Sequence, residues 1–120
     1  MTTQNLAALE QELNMMIGTG KAMEAFEKFY ADDIVMQENF EEPCVGKEAN
    51  RAREIAFFAS VEQMHGVTNP TFAVGDDVTF SEWTMDLTFK GGMRVNMRQA
   101  ARRLWKDGKV VHERFYYSKG

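Results

Sequence analysis

The chain is poor in the residues that mark several special architectures. Of its 120 residues one is a cysteine, Cys44. No internal disulfide can form, and a lone thiol fits a reducing cytoplasm. Histidine is scarce too, with only His65 and His112. No His/Asp/Glu grouping has the spacing of metal ligands, so neither a metal nor another cofactor is expected. The "GTG" of Gly18 and Gly20 does not sit on a strand-to-helix turn, which excludes a phosphate-cradling loop. No apolar run approaches the ~20 residues of a membrane span. The polar, acidic opening "MTTQNLAALEQEL" lacks the basic start and apolar stretch of a signal peptide, so none is expected. Positive charge is in deficit, 14 Lys and Arg against 18 Asp and Glu, for a net charge of -4. That argues against a nucleic-acid binder, which would show a basic face. One basic run, "RVNMRQAARRLWKDGK", reads as a solvated strand face, with an anion-binding stripe as the alternative.

What is present suits one globular domain spanning residues 1–120, with 44% hydrophobic and 27% charged residues. Leu6, Leu9, Leu13 and Met16/Ile17 recur at three- and four-residue steps, one face of an amphipathic helix. Gly18 and Gly20 break it, and Met23, Phe26 and Tyr30 resume the spacing in a second helix. Ile34, Met36, Glu38 and Phe40 then alternate with Val35, Gln37 and Asn39, predicting a strand. "FEEPCVG" reads as a loop. From Lys47 to Met64 there is neither glycine nor proline, and Ala52, Ile55, Ala56 and Ala59 mark a helix face that stops at Gly66. The second half carries three turn signals, "VGDDV", "KGGM" and "KDGK". They separate four strands, roughly 66–75, 78–90, 93–105 and 109–117, joined as an antiparallel meander. The expected class is α+β, with three N-terminal helices in the concave face of a curved, mostly antiparallel sheet.

In this order the elements resemble the SnoaL-like branch of the nuclear transport factor 2-like superfamily. The resemblance is carried by "FYADDIVMQE" after a helical hairpin, a third helix led by Gly46, Trp83 in a long strand, and the closing "LWKDGKVVHERFYY". It covers nearly the whole chain. It implies a cone-shaped α+β barrel around an open apolar pocket and a homodimer formed through the outer sheet face. Members include ketosteroid isomerases, polyketide cyclases, dehydratases and non-catalytic binding domains, so the fold alone does not fix the function.

Alternation assigns the faces once the Trp83 face is taken as inward. Met36 and Glu38 of the first strand, Trp83 and Met85 of the second long strand, and Val95, Met97, Gln99, Ala101, Arg103 and Trp105 of the next then point in. On the last strand Val111, Glu113, Phe115 and Tyr117 take the inner face, and His112 the outer. A single bulge would invert the assignments beyond it. The candidate ligand-binding residues are thus Met36, Trp83, Met85, Met97, Gln99, Arg103, Phe115 and Tyr117. Glu38 and Glu113 are the candidate catalytic carboxylates, because two acids in one apolar pocket can titrate apart and serve as acid and base. Glu38 stands where the resemblance to ketosteroid isomerases puts the general base; its alternative is a rim carboxylate paired with an arginine. Glu113 and Arg103 read either as a structural ion pair across adjacent strands or as part of the site. The same comparison places Asn14 and Ala101 where the isomerases carry their oxyanion donors, and neither can serve as that tyrosine or acid does. A steroid isomerase is therefore not expected. Two functions stay open: proton-transfer chemistry of isomerase, cyclase or dehydratase type on an apolar carbonyl-bearing or polycyclic molecule, and non-catalytic small-ligand binding or dimerisation.

Overall fold

The structure, a computed structural model, describes residues 3–69 and 71–118. Three helices, α1 (Thr3–Gly18), α2 (Ala22–Phe29) and α3 (Lys47–Ser60), pack against one mixed sheet. Its strands are β1 (Tyr30–Glu38), β2 (Cys44–Val45), β3 (Val61–Thr68), β4 (Phe72–Val74), β5 (Val78–Phe89), β6 (Arg94–Lys106) and β7 (Lys109–Tyr116). The order is β2-β1-β7-β6-β5-β3, with β4 also pairing β5. Among the described residues the sheet does not close. The meander is antiparallel throughout, whereas β1 joins β7 in parallel. This is the expected α+β architecture. Its two tight hairpins follow from backbone chemistry. Gly91 and Gly92 have φ of 103° and 95° between β5 and β6, and Asp107 and Gly108 have 52° and 78° between β6 and β7.

The core gathers Leu6 and Leu13 of α1, Phe26 and Phe29 of α2, Ile34 and Met36 of β1, and Trp105 and Val110 across the β6–β7 hairpin. Two irregularities set which side chains enter it. Between Tyr30 and Val35 the register with β7 slips, so Tyr30 and Ile34 both point inward while Asp32 and Asp33 stay exposed. On β7 the partners jump from Leu104↔His112 to Trp105↔Val110, which leaves Val111 as the extra residue of a bulge. Val110, expected outward, is therefore fully buried, and Val111, expected inward, is not. Glu113 and Phe115 lie on the other side of the bulge and keep their inward setting.

Three further boundaries depart from the sequence reading. The third helix ends at Ser60 rather than near Gly66, because residues from Val61 onward pair with β5. Gly66 sits instead where that pairing slips, a usual place for glycine in a strand. The expected 66–75 strand is split into β3 and β4, both on β5, with the break around Asn69 and Thr71; Pro70 lies outside the described residues. The "FEEPCVG" loop contains the short strand β2, antiparallel to β1. The apolar face expected on α3 is also turned around. Ala52, Ile55, Ala56 and Ala59 are exposed, and α3 directs Asn50, Glu54, Phe57 and Phe58 inward.

Candidate functional site

A cavity of about 190 Å³ opens between the three helices and the concave face of the sheet. Its wall is mostly apolar: Leu13, Ile17, Phe26, Met36, Phe57, Phe58, Trp83, Met85, Met97 and Phe115. The polar groups on it are Tyr30, Gln37, Glu38, Arg53, Glu54, Gln99, Arg103 and Glu113. Sparse polar groups converging in an apolar hollow are the usual make-up of a small-molecule site.

Of the residues expected here, Met36, Glu38, Trp83, Met85, Met97, Gln99, Arg103, Glu113 and Phe115 all reach the wall. Tyr117 does not. It lies past the end of β7, where its backbone N–H donates to Asn39 Oδ1 at 3.0 Å. Glu38 occupies the rim, with its side chain 42% exposed and its carboxylate 3.6 Å from Arg53. Glu113 is at the opposite extreme, 1% exposed.

Around Glu113 the structure builds a buried polar network that the sequence reading covered only in part. Arg103 donates from Nε to Glu113 Oε2 at 2.6 Å and from a terminal nitrogen to both Glu10 Oε2 and Asn14 Oδ1 at 2.8 Å. The phenol of Tyr30 donates to the same Glu113 oxygen. Glu10 accepts further bonds from the hydroxyls of Thr79 and Ser81; Trp105 Nε1 in turn donates to Thr79, and Asn14 to Ser81. Burial, then the negative charge of Glu113, pushes the Tyr30 hydroxyl well above its ordinary value, so Tyr30 stays a donor. Burial by itself would discharge Arg103, but the surrounding acids outweigh it and hold the guanidinium charged. Glu10 and Asn14 had a signal. They fall four and eight residues after Leu6, on the helix face that carries Leu13, where a polar residue must meet a polar partner.

Glu54 is the functional candidate that sequence reasoning missed. Its place is fixed by Asn50, one helical turn earlier and 1% exposed. The Asn50 amide donates to the backbone oxygens of Cys44 at 3.0 Å and Gly46 at 2.8 Å, clamping the start of α3 to the strand before it. The turn into α3 needs Gly46, whose φ is 98°. One turn on, Glu54 faces the cavity beside Phe57 and Phe58. Burial first, and then the negative charge of Glu113, raises its carboxyl from 4.5 to about 7. The nearby Arg53 pulls the other way without cancelling the rise.

With this geometry in view, comparison with known proteins places the chain. The model of the SnoaL-like domain family matches residues 1–117. The chain belongs to that family. A Mesorhizobium loti protein described as a candidate SnoaL-like polyketide cyclase is 32% identical, with a TM-score of 0.80 over 98% of this chain and 100% of that one. An NTF2-like protein of unknown function from Burkholderia pseudomallei superposes with a TM-score of 0.80 at 10% identity, covering 98% and 92% of the two chains. A candidate hydroxylase from Streptomyces galilaeus gives 0.78 at 17% identity over 98% and 91%. These last two carry the fold alone. Among curated proteins no sequence matches. In this SnoaL-like domain the described residues contain no helix long and apolar enough to cross a membrane.

Proposed function

We propose that the cavity is a small-molecule site in which Glu54 moves a proton, in the manner of an isomerase, cyclase or dehydratase acting on a carbonyl-bearing compound. One observation carries the reading: Glu54 is a carboxyl held near pH 7 inside an apolar cavity. A general base works best when its proton affinity matches the operating pH, and ordinary glutamates are far too weak for that. Glu54 as carboxylate accepts a proton from carbon next to the carbonyl and, once protonated, returns it elsewhere on the same molecule. The negative charge of Glu113, which accepts hydrogen bonds from Arg103 and Tyr30, adds to burial in keeping Glu54's proton affinity high. Glu38, at the rim beside Arg53, is placed to meet the ligand as it enters. The cavity slightly exceeds the ~150 Å³ that holds a benzene ring in a dry protein cavity. A compound of one ring, or a larger one that protrudes through the mouth, fits this space. Likeness to a protein described as a candidate SnoaL-like polyketide cyclase is in keeping with carbonyl chemistry of this kind.

A second reading, binding without chemistry, is favoured by the shortage of free donors. Tyr30 and Arg103 both spend hydrogen bonds on Glu113, and Gln37 spends its amide on Glu41 and Arg114, which leaves Arg53 and Gln99 to meet a developing oxyanion. The deciding experiment follows deuterium exchange at carbon next to the carbonyl in a panel of one-ring ketones. On the proton-transfer reading the protein accelerates exchange of at least one ketone, and Glu54→Gln lowers that rate by about 10²–10⁴-fold. Exchange that survives Glu54→Gln intact would remove Glu54 as the base. Ketones that bind without exchanging would leave the binding reading.

A further inference from the structure

The cavity wall carries three carboxyl groups, Glu38, Glu54 and Glu113, against two guanidiniums, Arg53 and Arg103. Arg103 is the one guanidinium in the buried network, and it serves two carboxylates, Glu10 and Glu113. Arg53 sits near Glu38 at the rim. The two oxygens of Glu113 are also treated unequally. Oε2 receives both Tyr30 and Arg103, whereas Oε1 is buried with no hydrogen-bond partner. A buried acceptor left empty costs about 1–3 kcal/mol, and more when it is charged. A donor bound in the cavity that Glu113 lines would relieve that cost. Close by on the cavity wall are the rings of Phe26, Phe57, Phe58 and Trp83. Aromatic faces are electron-rich and attract cations.

We propose that the ligand of this cavity carries a protonated amine on an apolar body, with the ammonium seated toward Glu113 Oε1 and Glu54 and the body against the aromatic wall. The proposal rests on the cavity being a small-molecule site and names the class of molecule it takes; it does not require that proton transfer occur. An ammonium supplies the missing donor and the missing positive charge together. A neutral alcohol supplies only the donor, and a carboxylate adds repulsion. The cation also favours the ionised form of Glu54, so binding releases a proton from the protein below about pH 7.

The test is calorimetric titration of the full chain with three ligands of matched size: benzylamine, benzyl alcohol and benzoate. At pH 7.5 benzylamine is expected to bind at least tenfold more tightly than benzyl alcohol, and benzoate more weakly than either. At pH 6, titrations in buffers of different ionisation enthalpy should show proton release with benzylamine and none with the alcohol. Glu113→Gln should erase the preference for the amine, bringing its affinity to within a fewfold of the alcohol's in the same variant. Should that variant fail to fold, the proton release in the unaltered protein decides the matter. Equal or tighter binding of the alcohol or of benzoate overturns the proposal, as does no binding of any of the three at millimolar concentration. The two claims separate cleanly. Amine preference with exchange unaffected by Glu54→Gln removes the proton-transfer reading and keeps this one; Glu54-dependent exchange without amine preference does the reverse.

Discussion

Replacing Glu54 by glutamine tests the electrostatics of the cavity without needing a ligand. The folded protein holds the Glu54 proton with an affinity near pH 7, against 4.5 for an ordinary glutamate. Each tenfold change in proton affinity is worth about 1.4 kcal/mol, which makes the difference about 3 kcal/mol at full strength. Water still reaches this partly buried side chain, so a range of about 1–3 kcal/mol is the fair expectation. The sign follows from where the proton is held more tightly. Between pH 4.5 and 7 the folded state binds more protons than the unfolded state, so Glu54's contribution to stability falls as pH rises and levels off above 7. Glutamine has the same shape and no charge to bury. The variant and the parent should therefore melt together near pH 4. By pH 8 the variant should be the more stable, by roughly 4–12 °C for a chain of this length. Thermal unfolding of both proteins across this range, followed by circular dichroism, measures the gap. Parallel melting curves at every pH, or a variant less stable at pH 8, would mean that folding does not raise the proton affinity of Glu54.

Other perturbations follow from the buried network. Arg103→Met strands Glu10 and Glu113 without their counter-charge. It should cost about 3–5 kcal/mol in urea unfolding, and a loss below 1 kcal/mol would contradict the network. Tyr30→Phe keeps the ring but removes the hydroxyl that donates to Glu113. It should cost about 1.5–3 kcal/mol, as expected for a hydrogen bond to a charged group, read in the same assay. The family resemblance implies a dimer through the outer sheet face, where Phe80 is 42% exposed. Sedimentation at micromolar concentration should give the dimer mass, and monomer alone would refute it.

Much of the fold could be read directly from the residues, because period and punctuation agree over long stretches. The alternation of Trp83, Met85, Leu87 and Phe89, and that of Val95 through Trp105, fixes two long strands and their inner faces. The glycine-bearing turns fix how those strands connect. What escaped was set by contacts distant in sequence. The bulge at Val111 shows only once β7 is laid against β6. The helix face on α3 misled because alanines are small enough to tolerate exposure, while the inward positions carry an asparagine and a glutamate that composition assigns to solvent. Glu54 was hidden for the same reason. A glutamate in a helix reads as a surface residue until its neighbours prove to be Phe57, Phe58 and the carboxylate of Glu113. The strand alternation therefore named most of the cavity's sheet wall and none of its helix wall.

The central claim, a cavity carboxyl poised near neutral pH, is open to direct observation by carbon-13 NMR of the side-chain carboxyls as a function of pH. One glutamate should titrate near 7 and disappear from the spectrum of Glu54→Gln. A set of glutamates that all titrate below about 5, as unperturbed carboxyls do, would contradict it.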